Sequence, residues 1–144
     1  MLQEHFYEVD LEWESGRRGL LSSPVLGETI ACATPPEFPN GVPGIWSPEH
    51  LYAAAINSCY MATFLAIAEN FRLAFSRFSC KTICKLEQKE GRYQITEAVI
   101  DPVVTLQNYE TDQQKALRVL EKSKSACLVT NSIKTTIGLN VTLM

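Results

Sequence analysis

From Leu51 to Ala68 the chain runs through 18 residues without one charged side chain, although 20% of its 144 residues are charged. A stretch of that kind has to be withdrawn from water, and whatever else the chain builds must cover it. Its start is marked in residue chemistry: Ser47 can cap a helix, Pro48 suits the first helical position, and Glu49 places an acid in the first turn. The pattern predicts a helix running to about Phe71, with small residues at 53, 54, 55, 58 and 62 that let another backbone approach closely. The stretch is at the edge of membrane-spanning length. Asn57, Ser58 and Thr63 near its centre, Glu49 and Glu69 at its ends and no adjacent basic anchor point instead to a central helix buried on nearly all sides.

The rest of the chain reads as strands and one more helix. Tyr7, Val9, Leu11 and Trp13 alternate with Glu8, Asp10 and Glu12, the pattern of a half-buried strand from Phe6 to Trp13. A turn at Ser15-Gly16-Arg17-Arg18-Gly19 follows, then short strands at Leu20–Ser22 and Val25–Ala33, the latter interrupted by Gly27. The prolines between Pro35 and Gly44 exclude helix or central strand there, and Phe38 and Trp46 give this loop an apolar lining suited to a pocket wall or to anchoring the loop. Cys80–Gln88 and Arg92–Gln107 are predicted strands joined at Glu90-Gly91, with Pro102 marking a bulge or edge. Thr111-Asp112-Gln113-Gln114 reads as a capping box before a helix carrying Ala116, Val119, Leu120, Ser123 and Cys127 on one face. A last strand alternates Ile137, Leu139, Val141 and Leu143. The order β-β-β-α-β-β-α-β makes residues 1–144 one α+β domain with an antiparallel sheet.

A net charge of −3 and no run of Lys or Arg give no support for nucleic-acid or anionic-membrane binding. Met1-Leu2-Gln3-Glu4-His5 lacks the basic region and apolar run of a secretory signal, so the expected compartment is the cytoplasm. Five cysteines in such a chain are expected to be mostly free thiols.

Two of the five stand in unusual settings. Cys59 lies in the middle of the apolar helix, and Cys127 lies 68 positions later, at a helix exit before Thr130-Asn131-Ser132. That combination reads as a nucleophile and a resolving thiol. Cys32, Cys80 and Cys84 take the ordinary reading of buried structural thiols, and Cys80 and Cys84, about 13 Å apart along a strand, cannot pair. Two histidines and no C-x-x-C give no metal site. A thiol attacks as thiolate, and burial alone disfavours that form. Cys59 is three turns from the helix start, beyond useful reach of its dipole, and Glu49 and His50 are about 14–15 Å away along the axis. A supporting cation must therefore come from another segment or subunit. The Gly16–Gly19 turn offers Arg17 or Arg18, which Glu49 could hold in a bidentate pair. Without such a partner, both arginines are surface charges, Glu49 is a favourable first-turn acid, and His50 lies on the helix surface.

Ser-Pro-Glu-His-Leu-Tyr-Ala-Ala-Ala-Ile-Asn-Ser-Cys at 47–59, followed by Cys-Leu-Val-Thr-Asn-Ser at 127–132, resembles the OsmC/Ohr family of organic hydroperoxide-reducing proteins. The resemblance spans essentially the whole chain, and Gly16-Arg17-Arg18-Gly19 is similar to the family's Gly-Arg-x-Gly turn. It implies that Cys59 is the peroxidatic thiol, Cys127 the resolving thiol, Arg17 the functional arginine and Glu49 its partner. It also implies an intertwined homodimer with active sites at the subunit interface. Two positions depart from the pattern: Leu128 follows the second cysteine where Pro is usual, and no His precedes it.

The function expected from these residues is thiol-dependent reduction of organic hydroperoxides to alcohols. A Cys59 sulfenic acid would be resolved by Cys127, with no metal, flavin or haem. An external dithiol of lipoyl or other small type would restore both thiols. Phe38, Trp46 and Tyr60 are the candidate apolar lining for an alkyl hydroperoxide. The rival readings are a non-catalytic dimer binding a small apolar ligand and a redox sensor signalling through sulfenylated Cys59.

Overall fold

The computed structural model describes residues 3–144. The chain divides into two compact units, Met1–Leu51 and Tyr52–Met144.

The first unit is built on a three-stranded antiparallel sheet of β1 (Asp10–Ser15), β2 (Arg18–Ser22) and β3 (Ile30–Ala33), in that order. Gly16, at φ 53°, supplies the left-handed residue of the β1–β2 turn, so this turn falls where the sequence predicts it. β1 and β3 are shorter than predicted, and β2 is two residues longer. β1 starts at Asp10 rather than Phe6, and all six of its residues are exposed, Trp13 at 73%. The alternation that predicts a half-buried strand therefore has no cover within this unit. Beyond β3, the proline-rich loop folds onto itself through Phe38 N–H to Pro35 O (3.1 Å), Gly41 N–H to Phe38 O (3.0 Å) and Val42 N–H to Thr34 O (2.9 Å). A Cβ on Gly41 would lie 1.9 Å from the Pro35 carbonyl oxygen, so no larger residue fits there. Ala33 N–H then bonds Trp46 O at 2.9 Å, which anchors the residue just before the long helix to the edge of the sheet.

That helix, α1 (Pro48–Asn70), starts as the sequence predicts. The Ser47 hydroxyl accepts from the His50 N–H at 3.1 Å, an N-cap bond, and ring and hydroxyl of the same two residues meet at 2.7 Å between His50 Nδ1 and Ser47 Oγ.

In the second unit α1 is followed by β4 (Phe75–Lys89), β5 (Arg92–Leu106), α2 (Tyr109–Ala126), α3 (Leu128–Asn131), β6 (Thr136–Leu139) and β7 (Thr142–Leu143). β4 and β5 form an antiparallel hairpin turning at Glu90 (φ 54°) and Gly91 (φ 77°). β6 and β7 both pair with β5, and both run parallel to it. The expected antiparallel sheet thus holds for β1–β2–β3 and β4–β5 and fails at the C-terminus. The cause is the helical crossover through α2, which returns the chain to the end of the sheet from which β5 set out. The predicted last strand is also split in two.

Two further local expectations change. Pro102 makes no bulge: β5 is a central strand, Pro102 pairs with Cys80 on one side, and on the other it falls between the segment paired with β6, ending at Ile100, and the one paired with β7, starting at Val103. Its missing N–H is matched to a gap in the neighbouring strands. The capping box at Thr111 is not the helix start either. Asp112 N–H closes the first turn on Asn108 O at 2.9 Å, so α2 begins at Tyr109 and Thr111 is already helical.

The core of this unit is aromatic at its centre. Phe64 stacks on Phe78 at 4.5 Å and meets Phe75 edge-on at 5.2 Å, with Ile100, Val104, Val119 and Leu120 closing around them. From α1, Ile56, Tyr60, Phe64 and Ala68 are buried, one stripe at four-residue spacing. Helix α1 is long and apolar enough by composition to cross a membrane, and the stripe facing this core accounts for only part of that character. Met61 and Leu65 stay 44% and 43% exposed, so burial on nearly all sides, predicted from the sequence, is not reached in a single chain.

Candidate active site

Cys59 and Cys127, 68 positions apart in sequence, are brought together within the second unit, close enough for each thiol to shift the ionisation of the other. Cys59 projects from the middle of α1 and is partly exposed, whereas Cys127 is fully buried. Cys127 is both the last cap of α2 and the N-cap of α3, with extended backbone at φ −64°, ψ 119°. This break between two helices turns main-chain N–H groups towards the α1 thiol. The Asn131 N–H closes on Cys127 O at 3.1 Å, so the N–H groups before it find no carbonyl inside α3.

Those donors decide the electrostatics. Burial works to raise the Cys59 pKa, but N–H bonds from Val129 and Leu128, together with the Cys127 thiol and the Thr63 hydroxyl, outweigh it and hold the thiol below its ordinary value. Cys127 moves the other way: burial raises it, and the neighbouring Cys59 sulfur adds to that against bonds from Thr130. Of the two thiols, Cys59 ionises first. The support predicted to require a cation comes, within this unit, from main-chain dipoles of a distant segment.

Asn57 fixes the helix that carries Cys59. Its amide donates to Cys80 O at 3.1 Å and accepts from the Thr82 hydroxyl at 3.0 Å, tying α1 to β4. In the sequence Asn57 stands out only as a polar interruption of an apolar run. The available signal was that an amide inside an apolar helix needs partners, which only another element can supply. Beside this tie lies a cavity of about 340 Å³ lined by Ala54, Asn57, Ser58, Met61, Phe78 and Cys80.

Arg17 and Glu49 belong to the first unit. The Arg17 side chain is exposed on the β1–β2 turn and borders a cavity of about 290 Å³ with Trp13, Gly19, Cys32 and Thr34. Among the described residues Arg17 and Glu49 form no ion pair with each other, and Glu49 keeps one carboxylate oxygen buried without a hydrogen-bond partner. Arg18 is exposed as well. His50 is engaged in the Ser47 cap and meets the Trp46 ring edge-on at 6.3 Å.

The candidate apolar lining is corrected in one place. Tyr60 is fully buried, with its hydroxyl bonded to Leu120 O at 2.9 Å and its pKa pushed up by burial, so it is a core residue and not a pocket wall. It follows Cys59 in sequence, but successive helical side chains diverge by about 100°. Phe38 is half-buried in the folded loop, and Trp46 is 53% exposed. The other three thiols are unpaired as expected but only partly buried: burial pushes Cys80 up to about 11 and also raises Cys84, while Cys32 donates to Gly19 O at 3.6 Å. Among the described residues no group of His, Cys, Asp and Glu has the arrangement of a metal site.

The family model described as OsmC-like protein matches residues 41–142. No curated protein matches by sequence. Among solved structures, an OsmC-like protein of unknown function from Vibrio cholerae superposes with a TM-score of 0.86 at 19% identity, over 96% of this chain and 99% of that one. An organic hydroperoxide resistance protein from Elizabethkingia anophelis gives 0.78 at 17% identity, covering 99% and 98%. Another from Bacillus subtilis gives 0.68 at 16% identity, covering 97% and 98%. At these identities the structural likeness speaks for the fold, while the family match spans most of the chain, including both Cys59 and Cys127. The chain belongs to the OsmC-like protein family.

Proposed function

We propose that this protein is a thiol-dependent reductase of organic hydroperoxides. The observation that carries the reading is the Cys59–Cys127 pair: a partly exposed thiol whose ionisation is favoured, beside a second, buried thiol. Similarity to proteins described as organic hydroperoxide resistance proteins supports the same chemistry. In the proposed cycle the Cys59 thiolate attacks one peroxide oxygen, the O–O bond breaks, and the leaving alkoxide takes a proton and departs as the alcohol. Cys59 is left as the sulfenic acid. The Cys127 thiol then attacks that sulfur, water leaves, and a disulfide forms. An external dithiol, of lipoyl or similar type, reduces it by two exchange steps and is itself oxidised. The cycle uses no cofactor, and the reading places it in the cytoplasm, away from membranes and nucleic acid.

The site is completed, in this reading, by a homodimer in which Arg17 and Glu49 act at the subunit interface. Three observations support it: the open apolar side of α1 at Met61 and Leu65, the uncovered Leu11 and Trp13 on β1, and the unpartnered buried oxygen of Glu49. Light scattering on the eluted protein is expected to give about 32 kDa, twice the 16.1 kDa of one chain. Leu65→Glu, which puts a charge into that side of α1, is expected to lower this mass or the soluble yield. A monomeric wild type at micromolar concentration contradicts the dimer.

The direct test of activity follows dithiol oxidation with cumene hydroperoxide and with hydrogen peroxide. Turnover with the organic peroxide, at least about tenfold faster than with hydrogen peroxide, is expected, since an apolar alkyl group adds binding energy in proportion to buried area. Absence of peroxide-dependent dithiol oxidation refutes the reading. The roughly 340 Å³ cavity beside Asn57 favours a second one, a non-catalytic carrier of a small apolar ligand. That alternative predicts saturable binding of a small apolar probe with no peroxide-dependent dithiol oxidation.

A further inference from the structure

Thr63 follows Cys59 by one helical turn, on the same side of α1, and its hydroxyl has two acceptors within reach. It lies 2.8 Å from the Cys59 carbonyl oxygen. It also lies close enough to the Cys59 sulfur to favour ionisation of that thiol. A hydroxyl has one proton to donate, so it serves one acceptor at a time. A neutral thiol accepts weakly, and the carbonyl wins. A thiolate carries a full charge, and hydrogen bonds to charged acceptors are roughly twice as strong as neutral ones. The other donors cannot turn away. The N–H groups of Leu128 and Val129 precede the first closing bond of α3, from Asn131 N–H to Cys127 O, and Cys127 makes no side-chain cap bond to them. They are directed at the Cys59 sulfur.

We propose that Thr63 is a positioning residue for the Cys59 nucleophile: a rotating hydroxyl that donates to the Cys59 carbonyl while the thiol is neutral and to the sulfur once it is ionised. With the main-chain N–H groups of Leu128 and Val129 it completes a three-donor cradle contained in one chain. The proposal rests on Cys59 being the reactive thiol and assigns part of its activation to residues of its own unit. Among the described residues of that unit, Cys127 is the titratable group beside the Cys59 sulfur; Tyr60, its neighbour on the helix, points away to Leu120 O. Ionisation releases the Cys59 proton to water.

The test is the pH dependence of Cys59 alkylation by iodoacetamide in the full chain, with the site assigned by peptide mass spectrometry. Thr63→Val keeps the shape and removes the hydroxyl. It is expected to raise the midpoint by about one pH unit, the size of one lost bond to a charged group, and Thr63→Ser is expected to restore it. An unchanged midpoint in Thr63→Val, or a Thr63→Ser midpoint as displaced as that of Thr63→Val, overturns the proposal. Should Thr63→Val fail to fold, Leu128→Pro carries the test. It occupies the first position of α3 after an extended residue, where proline fits, and removes the N–H together with a leucine side chain that is 70% exposed. A raised midpoint there supports the cradle and an unchanged one overturns it. Peroxide turnover measured in parallel separates the two readings. Shifted midpoints in a protein without turnover refute the reductase and leave the cradle standing; turnover with unshifted midpoints does the reverse.

Discussion

Cys59→Ser is expected to reduce peroxide-dependent dithiol oxidation by at least about a thousandfold, because a hydroxyl in the same place is scarcely ionised and cannot replace the thiolate as nucleophile. The fold should survive the change. Cys59 is only partly buried, contributes no side chain to the aromatic core, and is exchanged for a residue of similar size. Cys127→Ser is expected to behave differently: the first chemical step remains, resolution is lost, and turnover falls to the rate at which the external dithiol reaches the sulfenic acid. Intact mass separates the two. After one equivalent of cumene hydroperoxide the wild type should lose about 2 mass units, Cys127→Ser should gain about 16, and Cys59→Ser should be unchanged. A Cys59→Ser protein that keeps turning over would exclude Cys59 as the nucleophile.

The largest effect on stability is expected at Phe64→Ala, at about 3–5 kcal/mol. Phe64 is wholly buried, stacked on Phe78 at 4.5 Å and set edge-on to Phe75 at 5.2 Å, so its ring bridges α1 and the start of β4. Truncation leaves a cavity between a helix and a sheet, whose backbones are held apart by their other contacts and cannot close over it. Phe64→Leu retains most of the volume and should cost far less, roughly 1–2 kcal/mol. Chemical denaturation monitored by circular dichroism measures both. Equal losses for the two variants would mean that ring stacking rather than volume governs the site.

What could be read from the chain and what could not divides along a physical line. The start of α1 was legible because Ser47, Pro48 and Glu49 act within one turn of each other, and Glu90-Gly91 was legible because the hairpin turn is equally local. The buried face of α2, from Ala116 to Ser123, was legible from helical periodicity alone. The main-chain donors to Cys59 were not. They are backbone N–H groups of residues 128 and 129, which leave no mark in side-chain pattern and become donors only because Cys127 interrupts two helices. Tyr60 was misplaced as pocket lining because adjacency in sequence to Cys59 says nothing about direction on a helix. The parallel course of β6 and β7 depends on how α2 crosses the sheet, a long-range property that strand alternation does not encode. The open side of α1 has a similar origin: its composition records the burial it needs, and one chain supplies only part of that cover.

In the proposed cycle, the unequal exposure of the two sulfurs also sets the route by which electrons return. Once a Cys59–Cys127 bond has formed, Cys127 is walled in on every side, and only the Cys59 sulfur can be approached from solvent. An incoming dithiol must therefore form its mixed disulfide on Cys59 and expel Cys127. The departing thiolate keeps the burial that raises its pKa, and a more basic thiolate leaves more slowly. The buried position that keeps the second thiol close at hand for capturing a sulfenic acid thus makes the captured state slow to discharge. Under a burst of peroxide, the oxidised protein is the form expected to accumulate.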